Sequence, residues 1–178
     1  MEELNAIGFH ANDKDRCKRF VEEEEYLIVS PDKNFLGYGM YFWVNYKQAI
    51  WWKNTKKGGT QGAHIVSAKI YSKNVLDVTD ADILNKLEIL YSKIRNELLK
   101  EMSVKQGNIQ LGIKLDALFR FFGKELRVFD CVYGTTKNEN RAEHTFLEGT
   151  PMTMKTEDII LVKNYKVISG RQIRSDLA

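Results

Sequence analysis

Three groups of residues in this 178-residue chain carry side chains suited to chemistry. His10 sits in the short run GFHAN, residues 8–12. Residues 36–54, LGYGMYFWVNYKQAIWWKN, hold seven aromatic rings: Tyr38, Tyr41, Phe42, Trp43, Tyr46, Trp51 and Trp52. Carboxylates Glu143, Glu148 and Glu157 lie near the apolar run IILV, residues 159–162. Glycines such as Gly37 and Gly39 let a backbone approach a ligand closely. Aromatic faces stack on flat rings such as adenine or nicotinamide. Tyr41 and Trp52, eleven residues apart across a strand-to-helix turn, form a candidate ring clamp. Phe42, Trp43 and Trp51 read as core.

Other chemistries find little support. The two cysteines, Cys17 and Cys131, form neither a disulfide framework nor a metal-ligand spacing. The histidines His10, His64 and His144 lack an HExxH or His/Cys cluster, so no metal is expected. The first residues do not resemble a signal peptide, and no apolar run approaches a membrane span. The expectation is a cytoplasmic protein with reduced thiols and no membrane contact. The net charge of +3 permits a basic patch without requiring one. Residues 47–57 carry Lys47, Lys53, Lys56 and Lys57 with no acid among them, whereas residues 22–25 read EEEE. A lysine cluster beside rings suits phosphate or a nucleic acid strand, and a solvated helix face is the plainer reading.

The elements that position these groups read as α+β in one domain, residues 1–178. A strand is expected over 4–10. A helix capped by Asn12 or Asp13 follows to Glu22, with Cys17, Phe20 and Val21 inward. Residues 25–31 read as a strand or extended loop, and the glycines Gly37 and Gly39 as loop. Residues 40–44 form a strand. Asn45 caps a helix to about Asn54. A strand covers 63–72, with 75–79 extending or following it. Thr79 caps a long helix, Asp80 to Met102, with apolar Ile83, Leu87, Leu90, Ile94, Leu98 and Met102 at helical spacing. A shorter helix over 108–123 stops at Gly123. Strands follow at 126–134 and 157–164, then an edge strand or tail over 165–173.

LGYGMYFWVNYKQAIWW resembles the LG-x-G-[IV]-YF element of ADP-ribosyltransferases. The resemblance is to the His-Tyr-Glu branch of diphtheria-toxin-like enzymes and poly(ADP-ribose) polymerases, small bacterial toxin-like members in particular. GFHAN stands where that branch carries YHGT or a relative, and Ser30 where a serine precedes the glycine loop. AKIYSKNVLDVTD and FLEGTPM are similar to later segments of the family, and the likeness is collinear over about residues 7–165. It implies a split pair of small antiparallel sheets with flanking helices, and NAD as co-substrate in the cleft between them.

The site residues follow residue by residue. By family likeness His10 would bond the adenosine ribose, Ala11 would hold the carboxamide through its backbone, and Tyr41 and Trp52 would sandwich nicotinamide. Asn12, Ser30 and Gly39 complete the expected NAD-binding set. Lys53, Lys56 or Lys57 would meet a phosphate. Where the family carries glycine this chain has Ala11, and the family's glutamate aligns with Ile159. Glu157, two residues earlier on the same strand face, is the first choice for the third catalytic position beside His10 and Tyr41. Glu148 and Glu143 are alternatives, as is catalysis without an acid.

The implied activity is NAD-dependent mono-ADP-ribosyl transfer to a macromolecular acceptor, RNA or DNA slightly ahead of protein. The family's habit suggests an intracellular toxin or phage-defence effector with a possible antitoxin. An NAD glycohydrolase and an inactive NAD- or nucleic-acid-binding relative are the competing readings.

Overall fold

The computed structural model describes residues 3–33, 35–55, 63–102, 109–137 and 155–174. Glu143, Glu148, His144, Lys56 and Lys57 lie outside them. The backbone of the fold is one mixed sheet. Strand β1 (Leu4–Asp13) leads into helix α1 (Lys14–Glu22), then the short β2 (Ser30–Asp32), β3 (Gly37–Trp43) and α2 (Tyr46–Thr55). Next come β4 (Ala63–Ser72), β5 (Val75–Asp77), the long α3 (Ala81–Glu101), α4 (Leu111–Phe121) and the short α5 (Gly123–Leu126). Strands β6 (Cys131–Lys137) and β7 (Thr156–Val162), a 3-10 turn at Tyr165–Val167, and β8 (Ile168–Arg174) complete the described chain. Seven strands run in the order β5-β6-β7-β3-β1-β4-β8, and β2 pairs with β3 beside that path.

Pairing strength varies sharply across this sheet. β1 is zipped to β4 along its full length, from Leu4 opposite Ser72 to Asp13 opposite Ala63. β7 pairs with β3 over Met40–Trp43 and with β6 over its whole length. Between β1 and β3 there is a single pair, Phe9 opposite Trp43. β2 holds β3 at Gly37–Gly39. The expected pair of separate antiparallel sheets is therefore corrected to one mixed sheet with a one-pair seam. The mixing arises because β5 reaches β6 through α3, α4 and α5. A helical crossover of that kind returns the chain in the same direction, and β5 and β6 are parallel.

Alternate residues of the central strands feed two apolar clusters. Trp43, Ile159 and Leu161 pack with Ile65 and Val132 under α2, α3 and α4, which supply Ala49, Leu87, Ile94, Leu98, Leu115 and Leu118. Met40, Phe42, Ile160 and Val162 pack with Val66, Ile70, Cys131 and the α1 residues Cys17 and Phe20. The run IILV in β7 is apolar at every position because that strand is covered on both faces. At the seam the sheet comes close to itself: a Cβ on Gly8 would lie 2.7 Å from the Phe42 Cβ. Only glycine fits there.

Several local expectations shift. β1 continues to Asp13, so His10, Ala11 and Asn12 are strand residues. Asp13 alone caps α1, accepting from the Arg16 N–H at 2.9 Å. Asp80 caps α3 in place of Thr79, accepting from the N–H groups of Asp82 and Ile83. Its carboxyl titrates below the usual range, chiefly through the Ile83 bond. Thr79 instead donates to Asp77. The glycines Gly37 and Gly39 are in β3, where only a loop was expected. Trp51, assigned to the core from sequence, is 45% exposed.

Candidate functional site

The seam between β1 and β3 is where the chemistry-bearing residues meet. Beyond Phe9–Trp43 the two strands share no further ladder pair. The Tyr41 carbonyl instead takes a side chain: His10 Nδ1 donates to it at 2.7 Å. A carbonyl only accepts, so the proton is on Nδ1. The Asn12 amide is oriented by its Oδ1, which accepts from the Asp13 N–H at 2.9 Å. Its Nδ2 therefore faces His10 Nε2, 3.1 Å away, and donates to it. This network assigns His10 as a neutral imidazole with Nε2 as an acceptor. Both His10 and Asn12 are buried.

Tyr41 is fixed at its other end. Its hydroxyl donates to the Gly37 carbonyl at 2.6 Å and accepts from the Leu36 N–H at 3.1 Å. Gly37 has φ +88°, a conformation that favours glycine. Asp116 of α4 accepts from the Tyr38 N–H at 2.8 Å, and Lys163 donates to the Tyr38 carbonyl at 2.8 Å. Burial lowers the Lys163 pKa, partly offset by Asp116 nearby. The glycine-bearing start of β3 is thus clamped from α4 and from the residue after β7, and it aims the Tyr41 ring.

A small pocket of about 100 Å³ opens at this seam. Six of the residues expected to bind NAD line it: His10, Ala11, Asn12, Ser30, Tyr41 and Trp52. Phe35, Trp43 and Ile159 complete the lining. A second cavity of about 470 Å³ adjoins it through Phe35 and Ile159 and extends past Thr79, Gly134 and Thr136. The first volume is on the scale of one small ring; the second falls in the range of ordinary ligand sites. A larger hollow of about 540 Å³ lies between α3 and α4; it shares Leu84 and Leu111 with the second cavity and none of the residues of the first.

Trp52 enters from α2. Its ring stacks on Trp43, with centroids 6.2 Å apart and planes 29° from parallel. Its indole Nε1 is buried without a hydrogen-bond partner among the described residues. A buried donor in that state costs roughly 1–3 kcal/mol, which a ligand acceptor would recover. Ala11 pairs with Ile65 in the ladder, so its backbone is extended and the alanine carries no left-handed strain.

Gly39 does not line the pocket. It pairs with Ser30 and lets β3 pack on β7, since a Cβ there would lie 2.6 Å from Leu161 Cδ1. Glu157 also stands outside the lining, on the same face of β7 as Ile159. It is buried, and Asn45 Nδ2 donates to its Oε2 at 3.2 Å. Asn45 Oδ1 in turn accepts from the Lys47 N–H at 3.0 Å, so the start of α2 and Glu157 are held together. Ile159, the position aligned with the family's glutamate, faces the pocket directly. Phe35 and Trp43 are the lining residues that sequence reasoning did not single out for a ligand. Phe35 had no pattern to mark it, and Trp43 was hidden among the core aromatics.

Among the described residues no cluster of His, Cys, Asp or Glu could hold a metal ion, and no helix is long and apolar enough to cross a membrane. No family model, curated protein or solved structure matches this chain.

Proposed function

We propose that the chain is an NAD-dependent mono-ADP-ribosyltransferase acting on a macromolecule, with its site at the β1/β3 seam. The observation that carries this reading is the shared pocket: residues chosen from three separate sequence segments, 10–12, 30 and 41–52, line one hollow. In this reading the one-pair seam is the cleft that separates two sheets in the family. The donor set suits NAD. The indole N–H of Trp52 offers a hydrogen bond to a carboxamide oxygen, and Tyr41 and Phe35 supply ring surface for nicotinamide. His10 Nε2 is the acceptor for a ribose hydroxyl once Asn12 gives way. The adjoining cavity leaves room for the rest of the dinucleotide.

The residues' tasks follow from the chemistry. Cleaving the bond between nicotinamide and ribose builds positive charge on the ribose, as in glycoside hydrolysis. The departing base is a neutral molecule, so no general acid is needed. The site has to bind a bent NAD, exclude water and place negative charge near the ribose. Glu157 is the buried carboxylate for that role, with Asn45 orienting it.

The test is nicotinamide release from NAD together with transfer of labelled ADP-ribose. Release that depends on His10, Tyr41 and Glu157, with label in a macromolecule, supports the transferase. Release without such label makes the chain a glycohydrolase. The position of Ile159 in the pocket favours one further reading, a relative that binds NAD without turnover. Saturable NAD binding with no release would establish it.

A further inference from the structure

We infer that the outer face of α2 is a docking surface for single-stranded nucleic acid, which presents the acceptor to the adjoining pocket. The transfer step rests on the reading above; the binding itself does not. Trp51 is 45% exposed, unusual for the largest apolar ring. It is not loose: its ring meets Trp52 edge-on, with centroids 5.8 Å apart. One face of the pocket-lining Trp52 is thereby linked to a ring that faces solvent.

The surroundings of Trp51 favour a polyanion. Lys47, one helical turn earlier on the same face, is exposed. The helix sequence YKQAIWWKNT contains no acid, and Lys53 follows in its last turn. Beside the start of α2, Tyr46 packs on Phe9 at 5.1 Å, and the exposed Arg174 lies over Phe9 at 6.0 Å. The two acidic residues bonded to the segment just before α2 are engaged elsewhere. Glu157 is buried against Asn45, and Asp158 accepts a hydrogen bond from the Tyr133 hydroxyl. An exposed ring with a cation one turn away on the same helix face, and further cations near that helix, suits an unstacked base and its phosphates. A duplex hides its base faces from such a ring, so the proposal is specific to single strands. Ring and charge recognise base and phosphate, so the sugar is indifferent.

The experiment is fluorescence anisotropy with labelled dT and U oligonucleotides of about 12 nucleotides, without NAD. The expected result is comparable affinity for both, weaker binding of a duplex of equal length, and loss of affinity with salt. Trp51→Ala should weaken binding about 5- to 150-fold, the range measured for one stacking ring. Lys47→Ala should reduce the logarithmic salt slope by about 0.7. Both residues are exposed, so circular dichroism should be unchanged; Trp51→Phe, which retains a stacking face, should recover part of the affinity. Absence of binding, a Trp51→Ala affinity equal to wild type, or preference for duplex would overturn the inference. So would label from NAD appearing on protein while oligonucleotides stay unlabelled. If NAD is never turned over yet the oligonucleotide results hold, the transferase reading fails alone.

Discussion

Replacing Gly37 by alanine tests how the site is aimed. Gly37 has φ +88°. Holding a side-chain-bearing residue in left-handed space costs about 1–2 kcal/mol. The new Cβ would also lie 2.7 Å from the Asp116 Cγ and 2.9 Å from the Gly112 carbonyl oxygen. Helix backbone cannot retreat freely, and overpacking of this kind costs about 1–3 kcal/mol. The sum is about 3 kcal/mol. With a urea dependence of about 2 kcal/mol per molar, the unfolding midpoint should fall by about 1.5 M. Asp116→Ala removes the carboxylate that accepts from Tyr38. Because the Asp116 side chain is 40% exposed, that loss should cost only about 1 kcal/mol. In the double variant the new Cβ meets Gly112 but no carboxylate, so the combined loss should fall short of the sum by about 1 kcal/mol. Urea titrations of the four proteins complete the cycle. A midpoint shift below about 0.5 M for Gly37→Ala, or strict additivity, would refute the assignment of strain and contact at this turn.

Four further outcomes follow from other parts of the molecule. Burial, with Asp130 adding to it, pushes the Cys131 thiol up to about 12 from an ordinary 9.0. The folded state therefore keeps a proton that the unfolded chain loses. The associated stability is present below about pH 9 and is lost as pH rises toward 12. Thiol-reagent titration at pH 8 should find Cys17 and Cys131 unreactive until denaturant is added, since both are buried. Arg171 donates to the carbonyl oxygens of Phe20, Glu23, Glu24 and Tyr26 and lies over the Phe20 ring at 4.4 Å. Lysine cannot reproduce that fork, so Arg171→Lys should cost about 2 kcal/mol and lower Tm by about 4–8 °C in a thermal melt. Glu157→Gln retains a partner for Asn45 while removing the charge. It should reduce nicotinamide release at least about 100-fold with little change in NAD affinity, as read by steady-state kinetics and calorimetry.

Parts of this architecture were legible in the sequence for physical reasons. The long helix α3 announced itself through Leu87, Ile94 and Leu98 at helical spacing, and all three are buried. The run IILV marked a strand, and the structure covers it on both faces, with Ile160 and Val162 in one cluster and Ile159 and Leu161 in the other. Strand pairing was not legible, because a ladder partner far along the chain leaves no local pattern. The parallel β5/β6 pair and the one-pair seam at Phe9–Trp43 belong to that category. The aromatic stretch divided unevenly. Phe42 is core, Trp43 is both core and pocket wall, and Trp51 is exposed, although all three share one composition signal. Helix α2 explains the failure: its apolar residues do not gather on a single stripe, so face cannot be read from spacing. The residues of the candidate site were found through motif likeness, and the lining residue Phe35 has no motif to identify it.

The acidic run at residues 22–25 is partly occupied within the chain. Lys18 pairs with Glu22, Arg19 with Glu23, and the Tyr165 hydroxyl donates to Glu25. That association ties the end of α1 to the segment before β8, and Arg171 grips the same turn through its carbonyls.

The most direct test of the account is nicotinamide release from NAD by the purified chain, compared with His10→Ala, Tyr41→Phe and Glu157→Ala. The account predicts release by the wild type and its loss in His10→Ala and Glu157→Ala. Tyr41→Phe keeps the ring but gives up the hydrogen bond to Gly37, and should retain part of the activity. A correctly folded wild type that releases no nicotinamide, whether or not it binds NAD, would contradict it.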